Sequence, residues 1–263
     1  MKIKLNFPIG VGLTLSVLGA ASLLAATIYA SSIPALIGLG LIFWGIIITY
    51  IQPGEYVKKT VFDSTSTTLL TTIDETLETL DYKGGAIYLP PRYLNDPESI
   101  KAYIPKLETG TLPSPDMTQK LESQDSGKNA QGMLITPLGA DLTKLFETTM
   151  GTSFLRTQLR DLQQRLPKTL IEDLEIASEC EIQTDTVTGT ISVKFKTTTY
   201  KDTCKRAMQL PKLNGNLGCP LSSAFAIAFA RATGKPITIK SQRTSENGET
   251  NETEYTILGE QNP

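Results

Sequence analysis

Histidine is missing altogether from these 263 residues. Its absence removes the Ser-His-Asp and Cys-His nucleophile arrangements, His-ligated zinc and haem, and the usual proton shuttle at neutral pH. Any catalysis would have to rest on Cys, carboxylate, Lys or Tyr. Cysteine is scarce and odd in number, with Cys180, Cys204 and Cys219 spread over the second half of the chain. Three thiols make a poor disulfide framework and fit a reducing compartment, although one bridge plus a free thiol stays open. Net charge is small, 25 basic against 27 acidic residues, so no bulk field favours nucleic acid and none is expected as a partner. Internal repeats are missing as well.

Charge is also missing locally. No charged side chain occurs between Leu5 and Gly54, and that run holds two apolar segments, 9–30 and 34–51. Each is close to the roughly 20 residues that cross about 30 Å of hydrocarbon as a helix. Ser31-Ser32-Ile33-Pro34 lies between them and has room only to reverse the chain. Pro34 suits a first helical turn, where its missing N–H would be unpaired anyway. A transmembrane helical hairpin over 1–54 is therefore expected, with the bilayer as its first partner. Gly12, Ser16 and Gly19 share one side of the first segment, and Gly38, Gly45 and Thr49 recur on the second, as close helix packing in lipid requires. Tyr29, Trp44 and Tyr50 lie toward the segment ends, Trp44 a turn or two deep. A cleaved signal peptide is the competing reading, but the apolar run is long, Ile28 is not a small residue before the cleavage site, and a second segment follows at once. Lys2, Lys4, Lys58 and Lys59 flank the pair and its turn has no basic residue, so both termini are expected in the cytoplasm. On that orientation the acceptor motif Asn251-Glu252-Thr253 would never be glycosylated.

Residues 55–263 read as one soluble domain of α+β or α/β class, with mixed short strands and helices in two layers. Gln52-Pro53-Gly54 ends the membrane segment. A helix capped by Ser64 or Ser66 is expected over 67–81, and strands over 86–89, 100–104 and 133–136. Residues 107–131 are rich in Thr, Ser, Pro, Asp and Gln and read as a flexible insertion. Helices follow from Asp141, over 153–166, where Pro167 interrupts, and over 169–176. The alternation of Ile191, Val193 and Phe195 pairs with Cys180-Glu181-Ile182 as a hairpin. Helices over 201–208 and 220–233 come next, the second ended by Gly234. A last strand pair is expected at 237–239 and 255–258, around a polar loop at 245–253.

The strongest candidate site is Asn214-Gly215-Asn216-Leu217-Gly218-Cys219-Pro220-Leu221-Ser222-Ser223. A glycine-rich loop there leads into a helix with Pro220 in its first turn and Cys219 at or near the N-cap. Gly215, Gly218, Cys219, Ser222 and Ser223 are its candidate ligand-binding residues. Free N–H groups and the helix dipole favour an anion there or lower the pKa of a thiol. It is not a Walker loop, since no Lys follows the second glycine. The plainer reading makes Cys219 a small cap and Ala224, Phe225, Ile227, Ala228 and Phe229 a core helix. Cys180 and Cys204 are expected elsewhere, on a strand and inside a helix. A three-thiolate metal site is disfavoured because 23 and 14 residues separate the cysteines and no fourth ligand is evident. No metal, cofactor or catalytic residue is expected. Glu172, Asp173 and Glu175 read as a solvated helix face, with Asp202 and Lys205 similarly unspecific. Tyr88, Arg92 and Tyr93, around Pro90-Pro91, form a weaker candidate contact.

Three stretches, GAIYLPPRYL (85–94), LPKTLIEDLEIA (166–177) and GCPLSSAFAIAFARATGKPITI (218–239), resemble a family of uncharacterised archaeal two-pass membrane proteins. No activity is attached to that family, so the resemblance implies a coherent domain and no mechanism. The expected function is a membrane-tethered cytoplasmic interaction or ligand-sensing domain. A thiol-dependent or anion-handling enzyme using Cys219 is one alternative. A structural subunit in a larger membrane complex, with itself or other subunits as partners, is the other.

Overall fold

A computed structural model describes residues 7–29, 31–50, 59–108, 111–124, 128, 129, 131–185 and 187–259. Lys2, Lys4, Lys58 and Gln52-Pro53-Gly54, used above, lie outside them. The chain divides into two compact units, Met1–Lys58 and Lys59–Pro263.

The first unit is a helical hairpin of α1 (Phe7–Ile28) and α2 (Ser32–Tyr50). Its packing inverts that of a soluble protein. Gly12, Gly19, Ala26, Gly38 and Gly45 are buried, while Leu13, Val17, Leu24, Leu36, Leu39, Phe43 and Ile46 are exposed. The expected small-residue sides do meet. A Cβ on Gly19 would come within 2.7 Å of the Gly38 carbonyl, and one on Gly45 within 2.7 Å of the Gly12 carbonyl. Ser16 is half-buried there, and Ser22 Oγ donates across the hairpin to the Pro34 carbonyl at 2.8 Å. Gly40 points outward, with nothing within 4 Å of an added Cβ. Gly45→Leu should therefore force the helices apart and lower the melting point in mild detergent, whereas Gly40→Leu should leave it unchanged. The emission of Trp44, the sole tryptophan, reports both. Among the described residues one helix, Gly10–Ile28, is long and apolar enough to cross a membrane, with mean hydropathy 2.0. The apolar stretch of α2, Ser32–Ile48, is shorter.

The second unit is α+β. In chain order it contains α3 (Lys59–Thr79), β1 (Ile87–Tyr88), β2 (Ala102–Pro105), α4 (Pro115–Glu122), β3 (Gly132–Ile135), α5 (Ala140–Met150) and α6 (Leu159–Lys168). It continues with β4 (Glu179–Asp185), β5 (Thr190–Lys196), α7 (Lys201–Gln209), α8 (Pro211–Asn216), α9 (Pro220–Thr233), β6 (Ile237–Thr244) and β7 (Thr250–Ile257). All strands join one antiparallel sheet in the order β3-β2-β1-β6-β7-β5-β4.

Period-2 alternation separates two cores. Tyr88, Ala102, Ile104, Ile191, Val193, Phe195 and Tyr255 face the main core beneath the helices. Ile87, Leu89 and Tyr103 face the opposite side, where Tyr93, Leu94 and Leu121 of α4 close a smaller core. The supposed flexible insertion thus contains a docked helix. Its N-cap Ser114 accepts from the Met117 N–H, and Thr118 Oγ1 donates to the Tyr93 carbonyl. Over β4, β5, β7 and β6 the same outer face is polar, a shallow groove lined by Glu181, Lys194, Arg243, Glu252 and Glu254. The edge strand β4 is partly capped, because Gln163 Nε2 of α6 donates to the Ile182 carbonyl at 2.7 Å.

Helix α9 is the axis of the main core. Every residue from Leu221 to Arg231 is buried, as expected of a helix apolar on all sides. It packs against β1 and β6 and against α5, α6 and α7. Phe225 meets Phe195 at 5.7 Å between ring centroids, and Phe229 meets Tyr255 edge-on at 5.3 Å. Gly234, at φ +65, supplies the left-handed cap foreseen.

Several expectations change. Helix α3 begins at Lys59, placing Ser64 and Ser66 inside it rather than at a cap. Its threonines tie their hydroxyls back to carbonyls one turn earlier, as Thr72 does to Thr68 at 3.0 Å. Pro167 does not end α6; the chain passes through it to Lys168 and widens into a π-helical turn, Thr169–Asp173. The last two strands are longer than the foreseen 237–239 and 255–258, running to 8 residues each, and the polar loop shrinks to 245–249.

Candidate functional site

The chain reaches the site through α7, the short α8 and a tight crossing at 217–219. Gly215 lies in α8, so the expected glycine-rich loop is only three residues long. Gly218 has φ +68, and a Cβ there would meet Gln242 Oε1 and Ile239 Cδ1 at 2.7 Å. Both conditions call for glycine. This turn delivers Cys219 to the N-cap of α9 with Pro220 behind it, as its sequence implies.

Cys219 is fully buried, and its thiol has company that the sequence did not reveal. Cys204 of α7, also fully buried, places its Sγ 2.9 Å from that of Cys219 and donates to it. Ser222 Oγ lies 3.4 Å from Cys219 Sγ and 2.9 Å from Thr253 Oγ1. The Cys219 N–H donates to Gln242 Oε1 at 3.3 Å, and Tyr255 OH donates to the Ser222 carbonyl at 2.9 Å. Tyr88 OH donates to the Leu217 carbonyl at 2.6 Å. A polar knot of hydroxyls, thiols and one amide therefore sits inside an otherwise apolar core, where low dielectric strengthens each bond.

The two thiols differ in acidity. Burial pushes Cys219 up, but hydrogen bonds from Cys204, from Ser222 through hydroxyl and N–H, and from Gln242 more than offset it and hold it at about 7. Cys204 is driven well upward by its bond to Cys219 and by burial. Protons therefore leave the pair in two well-separated steps. Between pH 7 and 9 the unfolded chain binds more protons at Cys219 than the folded chain, so stability should rise with pH. Above pH 9 the raised Cys204 reverses the slope. Melting curves under reducing conditions should peak near pH 9, and Cys219→Ser should remove the rise from pH 7.

The other candidates fare differently. Ser223 is buried and its Oγ accepts from the Gly139 N–H at 3.0 Å, tying α9 to the start of α5. With Ser222 turned to Thr253, both candidate hydroxyls serve internal bonds. Cys180 is on β4 opposite Phe195, apart from the pair, with its thiol pushed up to about 12 by burial. No group of three or more metal-ligating side chains occurs among the described residues. Of the weaker candidates, Arg92 does stack on Tyr93, 5.4 Å from its ring centroid, but Tyr88 faces the other core, so the three do not form one site. Glu172, Asp173, Glu175, Asp202 and Lys205 are solvent-exposed. Asn251 and Thr253 of the acceptor motif are buried on the inner face of β7, out of reach of any modifying enzyme while folded.

These features define an α+β protein with an apolar N-terminal helix and a buried dithiol at a helix N-cap. The chain belongs to the family of the domain of unknown function DUF7982, whose model matches residues 10–255. That match runs from α1 into β7, covering both units. No curated protein and no solved structure matches the chain.

Proposed function

We propose that this is a two-pass membrane protein, of the archaeal kind its sequence resembles, whose α+β unit is a tethered interaction or ligand-sensing domain facing the cytoplasm. One observation carries the membrane part. The hairpin buries Gly12, Gly19, Gly38 and Gly45 and exposes many of its large apolar side chains, an arrangement that water penalises and lipid does not. The flanking lysines Lys2, Lys4, Lys58 and Lys59 support the orientation. Binding is favoured over catalysis because Cys219, Ser222 and Ser223, the most reactive-looking group, are all buried and bonded inward.

Two measurements test this. Trp44, the sole tryptophan, should be quenched by brominated lipids in reconstituted vesicles, since its side chain faces outward. A cysteine at Ser32→Cys should react with an impermeant maleimide added to intact cells, while one placed after Ile257 should not. Unquenched Trp44 would remove the bilayer from the account, and labelling of the tail alone would reverse the orientation.

A further inference from the structure

The sulfurs of Cys204 and Cys219 are 2.9 Å apart, within about an ångström of the ~2.05 Å of a disulfide bond. They come from different helices, separated by α8, and Cys219 stands where a helix N-terminus stabilises a thiolate. Its neighbours are donors: the thiol of Cys204 and, from the first turn of α9, the N–H and hydroxyl of Ser222. Nothing in a merely structural cap requires a second thiol on that side. A buried Cys ordinarily packs as a small apolar residue among carbon atoms. Cys180 is the internal comparison, half-buried on a strand with Phe195 opposite and outside the Cys204–Cys219 pair.

We infer that Cys204 and Cys219 form a redox couple that closes to a disulfide by exchange with a small-molecule disulfide, clamping α7 to the start of α9. The exchange balances in two steps. Cys219 thiolate attacks one sulfur of the incoming disulfide, whose S–S bond breaks and releases one thiolate. Cys204 then loses its proton and its sulfur attacks Cys219 Sγ, displacing the second thiolate, which takes up that proton. Two protein thiols are oxidised by two electrons, and one small disulfide becomes two small thiols. Division of labour follows from the geometry, since Cys219, at the helix N-cap and accepting from the Cys204 thiol, is the sulfur held ready to attack, and Cys204, its donor, resolves. Both sulfurs are fully buried, so the first step waits on a local opening of the 217–219 crossing or α8.

The bond would enclose α8, and α8 is held from outside the loop. Asp74 of α3 accepts from the Leu213 N–H at 2.8 Å, and Lys212 Nζ donates to the Tyr82 carbonyl at 3.3 Å. Redox state would thereby set how freely α8 moves against α3. The inference stands on the second unit alone and does not depend on the membrane reading.

The test uses the full chain in mild detergent, equilibrated without oxygen across ratios of oxidised to reduced glutathione. Samples are quenched with acid and alkylated in denaturant. At oxidising ratios the three titratable thiols should fall to one, and peptide mapping should find Cys204 linked to Cys219 with Cys180 alkylated. At reducing ratios all three should be alkylated. Cys204→Ser should halt exchange as a glutathione adduct on Cys219. Full alkylation of Cys204 and Cys219 at the most oxidising ratio, with the fold intact, would overturn the inference. So would a bridge involving Cys180, or one that forms only when denaturant is present during equilibration. The wild-type result decides the matter even if a variant fails to fold.

Discussion

Gly139→Val should abolish cooperative folding of the α+β unit, the largest single-residue effect expected anywhere in it. Gly139 precedes α5 and lies against the backbone of α9. A Cβ there would be 2.1 Å from the Ala224 nitrogen, 2.5 Å from its Cα and 2.6 Å from the Ser223 carbonyl carbon. Side-chain rotation cannot relieve a clash with main chain. The helices would have to separate, breaking the bonds from Gly139 N–H to Ser223 Oγ and from Thr143 Oγ1 to the Ala224 carbonyl. Even Gly139→Ala should therefore cost upward of about 3 kcal/mol, the top of the range for overpacked cores. Gly151, at the other end of α5, is the control. It needs glycine for a different reason, φ +63 with open space around it, so Gly151→Ala should cost only about 1–2 kcal/mol. Thermal melts followed by near-ultraviolet circular dichroism separate the two cases. Similar melting points for Gly139→Ala and Gly151→Ala would refute the close approach of α5 and α9.

The sequence made α9 legible to the residue, because Pro220, an unbroken apolar run and Gly234 are each local signals that agree. The β4–β5 hairpin was legible for the same reason, since Ile191, Val193 and Phe195 alternate with polar neighbours. Strands β6 and β7 were half-missed. On β7 the inner face carries Asn251 and Thr253, buried by their bonds to Thr244 and Ser222, so polar residues alternate with polar residues and the period disappears. Helix α3 was shortened because Ser64 and Ser66 have the chemistry of an N-cap, whereas the helix runs through both of them from Lys59. The site was legible at Cys219 and dark at Cys204. Cap position is a local property, written in Gly218, Cys219 and Pro220. The meeting of two cysteines 15 positions apart depends on how α8 turns the chain back, and no spacing rule encodes it. Cys204 lies inside a helix as expected, but against the candidate site rather than apart from it.

Arg231 was passed over entirely, and it supports the second large effect. Its side chain is 3 % exposed at the last turn of α9, with Glu147 of α5 at 3.3 Å and the solvent-facing Glu98 at 3.2 Å. A cation near a helix C-terminus is favourable, but burial makes this one dependent on its carboxylates. Glu147 does more than neutralise it. Its Oε1 also accepts from the Phe154 N–H at 2.6 Å and from Ser153 Oγ at 3.2 Å, holding the 3₁₀ turn that seats Phe154 in the core. Glu147→Ala should thus strand a buried guanidinium and release that turn, at a cost of about 3–5 kcal/mol. Arg231→Met keeps an unbranched apolar stem while removing the charge, and should cost far less. The decisive measurement is the double variant, Glu147→Ala with Arg231→Met, unfolded by urea beside both single variants. With no charge left to strand, it should recover a large part of the Glu147→Ala loss, leaving the share owed to Phe154 and Ser153. A double variant as unstable as the sum of the two singles would mean that Glu147 acts through the turn alone and that Arg231 is neutralised elsewhere.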